Sequence, residues 1–137
     1  MADRCPDARY LGSTELKDWR LIFKSVATIE KALGKYVPVG IFRITDECEK
    51  ALDIYEDYPH LYDKKELDVI LDGTQVTAMT YIMVGKYGIA PPSRKYFNVI
   101  SEGYKNCELN SFFLLEAQEY SIKANSGKGY KSVRWNQ

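Results

Sequence analysis

The sequence of 137 residues has one histidine, three cysteines and no excess of either charge, its nineteen basic and nineteen acidic side chains cancelling. Each shortage removes a class of function. A Ser-His-Asp triad or a histidine zinc site would have to be built around His60 alone. A catalytic imidazole needs orienting partners, so His60 reads as a loop residue. Cys5, Cys48 and Cys107 are scattered, odd in number and form no Cys-x-x-Cys pair. That usage points to a reducing compartment and away from a secreted disulfide scaffold, and it offers no metal-ligand spacing. Balanced charge gives no general attraction to nucleic acid. The longest apolar stretches, 37–42 and 78–84, fall far short of a bilayer span, and residues 1–7 hold no apolar run of the kind a signal peptide needs. These absences lead to the expectation of a cytoplasmic protein with no membrane or nucleic-acid partner; a monomer or homodimer is expected.

What is present is an ordinary globular composition, 45% hydrophobic and 28% charged, in a chain of single-domain length. Eleven tyrosines stand out; tyrosine packs a ring and keeps a hydroxyl for a polar partner, which suits pocket walls and strand faces alike. Residues 10–16, 19–24 and 27–30 read as short strands, with Lys17-Asp18 as a tight turn between the first two, and 37–44 as a more buried strand after Gly34. A helix comes next, capped by Thr45 or Asp46, with Ile44, Cys48, Ala51, Leu52 and Tyr55 at helical spacing, and it ends at Glu56-Asp57-Tyr58-Pro59. Asp72-Gly73 between the alternating runs 64–71 and 74–84 predicts a hairpin. The second of those runs is apolar on both faces, as in a barrel wall covered by helices. Ser93 caps a second helix bearing Tyr96, Val99, Ile100, Gly103 and Tyr104 on one stripe, and Asn110 or Ser111 opens a third. Strands first, helices last and one helix inserted define an α+β domain over residues 1–124. Residues 125–137 read as a flexible basic tail.

Few residues carry a chemical signal. Ser126-Gly127-Lys128-Gly129 lacks the strand before and the helix after that a phosphate loop requires. Ten carboxylates lie between Asp46 and Asp72, without the spacing of a calcium loop, and read as a solvated helix face. Glu56 differs from them. It falls at a helix C-terminus, where the dipole disfavours negative charge, among Tyr55, Tyr58, Pro59 and Tyr62. An aromatic setting raises a carboxylate's pKa by desolvation and makes it a competent proton shuttle, although an acid at a helix end is ordinary surface chemistry when taken alone.

The order of short motifs adds to this. Arg4-Cys5-Pro6-x-Ala8, Leu16-Lys17-Asp18-Trp19-Arg20-Leu21-x-Phe23, Val37-Pro38-Val39-Gly40-Ile41, Ala51-Leu52-Asp53-x-Tyr55-Glu56-x-x-Pro59 and Pro91-x-x-x-x-Tyr96-x-x-x-Ile100-x-x-Gly103-Tyr104 succeed one another over residues 4–120. In that order the sequence resembles the gamma-glutamylcyclotransferase-like (AIG2-like) family. The resemblance implies a small mixed β-barrel flanked by helices. It also implies conversion of a gamma-glutamyl amine or peptide to 5-oxoproline and a free amine, without cofactor or metal. Glu56 matches the family's catalytic glutamate, Tyr62 and Tyr96 match pocket walls, and Ala27-Thr28 lies on a pocket-facing strand.

Two departures accompany the match. Relatives begin with a strand and a Tyr-Gly-Ser-Asn loop whose amides hold the substrate and the developing oxyanion; Arg4-Cys5-Pro6 corresponds to the segment just after that loop. Asp57 stands where the family usually has glycine. Two functions are compatible with these residues: a cyclotransferase, and a catalytically inactive member whose pocket binds a small molecule or whose surface serves as an interaction module.

Overall fold

In the computed structural model, which describes residues 5–132 and 134, residues 9–43 fold back on themselves as a long antiparallel ribbon. Its arms are β1 (Arg9–Phe23) and β2 (Ala27–Arg43). Then come α1 (Asp46–Tyr55), a hairpin of β3 (Tyr62–Leu71) and β4 (Thr74–Met83), α2 (Arg94–Asn106) and α3 (Ser111–Lys123). The α+β architecture is as expected. The ladders form two separate two-stranded sheets, and among the described residues no ladder joins them into a closed barrel.

The predicted turn at Lys17-Asp18 is instead a bulge within one continuous strand. Asp18 takes φ +66° and the register slips between Lys17 and Trp19. An extra residue shifts the period-2 alternation by one. Leu16 and Trp19, three apart, therefore both face inward and are buried. The facing strand bulges further, over 32–35, and the Asp18 carboxylate accepts the Gly34 N–H at 3.0 Å.

Three apolar clusters hold the elements together. Leu16, Trp19 and Val37 of the ribbon bury Val69 of the hairpin, with Val76 and Ile82 packed against them. The main core gathers Phe23, Val26, Leu61, Tyr62 and Met83 under Tyr96 and Tyr104 of α2 and Leu114 and Ala117 of α3. β4 is thus apolar on both faces because each face meets a different cluster, with no second ladder partner needed. Cross-sheet bonds help fix the arrangement: the Thr14 hydroxyl donates to the Ile70 carbonyl, and the Met83 N–H donates to the Thr28 hydroxyl at 2.9 Å.

The third cluster is Cys5, Cys48 and Leu52, and it overturns the expectation of unpaired thiols. Cys5 and Cys48 are joined by a disulfide across 43 residues, their Cα atoms 5.2 Å apart. Scattered positions carry no pairing information; burial of the N-terminal segment under α1 brings the two together. Only Cys107 among the described cysteines is free, so the cysteines no longer argue for a reducing compartment. No helix among the described residues is long and apolar enough to cross a membrane.

The stretch expected as a flexible tail is tied down over its first residues. Ser126 N–H bonds the Ile89 carbonyl, Gly88 N–H bonds that of Lys128, and Tyr130 N–H bonds that of Lys24.

Candidate active site

Thr45 caps α1 by accepting the Cys48 N–H at 3.1 Å, and the helix runs until Glu56, whose N–H still bonds the Leu52 carbonyl. Asp57 then reverses the chain with φ +53°. A non-glycine residue in that region costs about 1–2 kcal/mol, which is the backbone reason glycine is favoured there. Glu56 is left half-buried at the helix end, beside Tyr55 and on the wall of a cavity of about 700 Å³. That volume lies within the range of small-molecule sites.

A polar clamp fixes the helix that delivers Glu56. Lys64 of β3 bonds Glu49 at 2.6 Å and Asp53 at 2.9 Å, and the Tyr81 hydroxyl of β4 donates to Asp53 at 2.6 Å. Burial works against the Asp53 charge, but the bonds from Tyr81 and Lys64 outweigh it and hold the carboxyl below its ordinary pKa. Burial, and then the bond to Asp53, keep the Tyr81 hydroxyl protonated well beyond a phenol's usual range. Asp53 lies one turn before Glu56, so the clamp ties down the helix turn that carries the second carboxylate.

The tyrosine part of the wall is neutral. The Tyr62 hydroxyl donates to the Ala27 carbonyl at 2.7 Å, and the Ala27 N–H donates to the Tyr96 hydroxyl at 2.9 Å. One residue's backbone therefore joins a tyrosine from β3 to one from α2. Both rings are buried in the main core while lining the cavity. Burial, followed by the neighbouring Tyr96 and the Glu56 carboxylate, raises the Tyr62 pKa far above a phenol's. It stays a donor at any working pH.

The structure thus brings Glu56, Tyr62 and Tyr96 to one cavity, with Ala27 acting behind the tyrosines through its backbone. Thr28 is buried, and its hydroxyl is engaged with Met83, so it braces β4. His60 is exposed and outside the cavity lining. Among the described residues no group of three or more His, Cys, Asp and Glu side chains could hold a metal ion. Sequence reasoning missed the contribution of the C-terminal segment: Tyr130, Ser132 and Arg134 all line the cavity. Tyr130, a bulky ring among the polar and glycine residues of 125–132, was the available signal.

The family described as gamma-glutamyl cyclotransferase, AIG2-like, matches residues 2–104, and the chain belongs to that family. A solved gamma-glutamyl cyclotransferase superposes with a TM-score of 0.70 at 26% identity, over 97% of this chain and 85% of that one. An uncharacterized protein from Homo sapiens superposes with a TM-score of 0.71 at the same identity and coverage. No curated protein gives a significant match.

Proposed function

We propose that the cavity cyclises a gamma-glutamyl amine or peptide to 5-oxoproline with release of the amine, and that Glu56 moves the proton. The observation carrying this reading is a half-buried carboxylate on the wall of a cavity walled by tyrosines, in a chain of the gamma-glutamyl cyclotransferase family. Glu56 takes a proton from the substrate's α-ammonium. The freed amine attacks the γ-carbonyl carbon and closes a five-membered ring. As the tetrahedral centre collapses, the bond to the departing nitrogen breaks and Glu56 returns the proton to that nitrogen, while the ring nitrogen gives up its second proton, which the departing amine carries away as its ammonium. Atoms balance without water, and no electrons change hands.

Nucleophile and electrophile belong to one molecule, so the enzyme's part is to hold them together. Well-oriented intramolecular reactions reach effective molarities of about 10⁵ M or more. The remaining demand is one group that accepts and returns a proton within hydrogen-bond reach. Glu56 follows the helix turn that Lys64 and Tyr81 hold through Asp53, and it shares the cavity with Tyr62 and Tyr96, which supports this role.

Incubation with gamma-glutamyl amines, with 5-oxoproline as the readout, tests the reading. Glu56→Gln should lower turnover by roughly 10²–10⁴-fold, the usual share of general acid–base catalysis. Release that survives the substitution refutes the role of Glu56. Binding without release by the unaltered chain would mark the cavity as a non-catalytic small-molecule site.

A further inference from the structure

The cavity's charged lining is lopsided. Two carboxylates, Glu56 and Asp57, meet a single cation among the described lining residues, Arg134. Arg134 comes from the C-terminal segment, the part of the chain whose sequence pattern predicts a loose tail, and it lies beyond the residues that the family match covers.

That segment is built to be where it is. Beyond its three backbone bonds to the 24–90 region, Gly129 passes so close to Ala90 and Ser25 that a Cβ there would collide with both side chains. The Tyr130 ring stands edge-on to Tyr87 at 5.4 Å and packs against the main core. Ser132 is buried, and its hydroxyl accepts the Arg134 N–H at 3.1 Å. The Arg134 guanidinium then lies over the ring of Tyr55 at 4.4 Å, next in sequence to Glu56. A guanidinium stacked on an aromatic face keeps its plane fixed and presents N–H donors along its edge, an arrangement matched to a carboxylate's two oxygens.

Resting on the cyclotransferase reading, we propose that Arg134 binds the α-carboxylate of the gamma-glutamyl group and so makes the site selective for a zwitterionic amino-acid head. The α-ammonium and α-carboxylate sit on the same carbon. A pose that offers the ammonium to Glu56 brings the carboxylate to the same end of the cavity, where Glu56 and Asp57 repel it. A cation within that wall removes the repulsion and orients the head, while ring closure itself makes no use of the carboxylate. Arg134 is therefore a specificity-determining contact, made equally in the ground state and the transition state, and its loss belongs in KM more than in kcat.

The test compares a gamma-glutamyl amide with the 4-aminobutyryl amide of the same amine, which lacks the α-carboxylate and would cyclise to 2-pyrrolidinone. For the gamma-glutamyl amide, Arg134→Gln should raise KM roughly 10–100-fold with kcat little changed, the usual weight of a charge-assisted pair. For the 4-aminobutyryl amide the rise in KM should be far smaller, and Arg134→Lys should recover part of the loss. Equal losses on both amides, or none on either, overturn the proposal. If the unaltered chain releases no cyclic product, the cyclotransferase reading fails separately. Calorimetric titration with the two amides then decides: a preference for the gamma-glutamyl amide that Arg134→Gln abolishes supports the carboxylate site, and equal affinities overturn it.

Discussion

On the Glu56 side of the cavity, α1 is held by Lys64 to two carboxylates, by Tyr81 to one of them, and by a disulfide to the N-terminal segment. On the tyrosine side, Tyr62 and Tyr96 meet at the backbone of Ala27 inside the main core. The first wall is ionic and covalent; the second is packed and neutral. Lys64 also lies 4.4 Å above the ring of Tyr58, which adds a further polar tie around the turn after Glu56. Ion pairs outside a core weaken with salt and titrate, whereas buried neutral bonds do neither over the usual pH range. The carboxylate proposed to move a proton thus rides on the wall that answers to solution conditions, and the tyrosine wall does not answer to them.

The comparison breaks most visibly at the covalent tie. Closing a loop of 43 residues should be worth about 2–4 kcal/mol, mostly by restricting the unfolded chain. Cys48→Ser should lower the stability read from a denaturation curve by that amount, and reduction of the unaltered protein should reproduce the shift. Both thiol positions are buried, so reduction should be slow without denaturant. A midpoint insensitive to both treatments would mean that α1 depends on the polar clamp and Leu52 alone.

On the neutral wall the expected effect is smaller. Tyr62→Phe keeps the ring in the core but removes the donor to Ala27, a loss of about 1 kcal/mol. Because burial holds the Tyr62 hydroxyl protonated, that loss should stay constant from neutral pH into the mildly alkaline range, and added salt should leave it unchanged. A loss that varies with either would place this wall under the same control as the other one.

Much of this architecture is legible in the amino-acid sequence. The Asp72-Gly73 hairpin appears with both turn residues at positive φ, the Thr45, Ser93 and Asn110 caps are all in use, and Glu56 closes its helix as the spacing before Pro59 implies. These are local signals, each settled within a few residues. The features that escape such reading depend on distant parts of the chain. Nothing near Asp18 distinguishes a bulge from a turn, since only the register against β2 decides it. The pairing of Cys5 with Cys48 is a consequence of packing and not of spacing. Thr28 carries the right residue type for a pocket, yet its hydroxyl is taken up by Met83 from another sheet. The anchoring of residues 126–130 rests on carbonyl and N–H groups of the 24 and 88–90 backbone, which no side-chain pattern announces.

The smallest effect isolates the ionic wall. The folded-state pKa of Asp53 is depressed, so its contribution to stability is fully present above the unfolded carboxylate value of about 3.9 and is lost as pH falls through the lower folded value. Asp53→Asn keeps an acceptor for Tyr81 but removes the charge that faces Lys64. The gap in thermal midpoint between the two proteins should therefore be widest near neutral pH, narrow below about pH 4, and shrink in about 1 M salt, where screening reaches a few ångströms. Lys64 shifts in the opposite sense. Its bonds to Glu49 and Asp53 raise its pKa, so its share persists below the ordinary lysine value and fades only as pH climbs above it. The acid limb of the midpoint curve consequently reports Asp53 without interference from its partner. The absence of any gap would show that Asp53 orients α1 through the Tyr81 hydroxyl alone, and the two walls would then differ in position but not in kind.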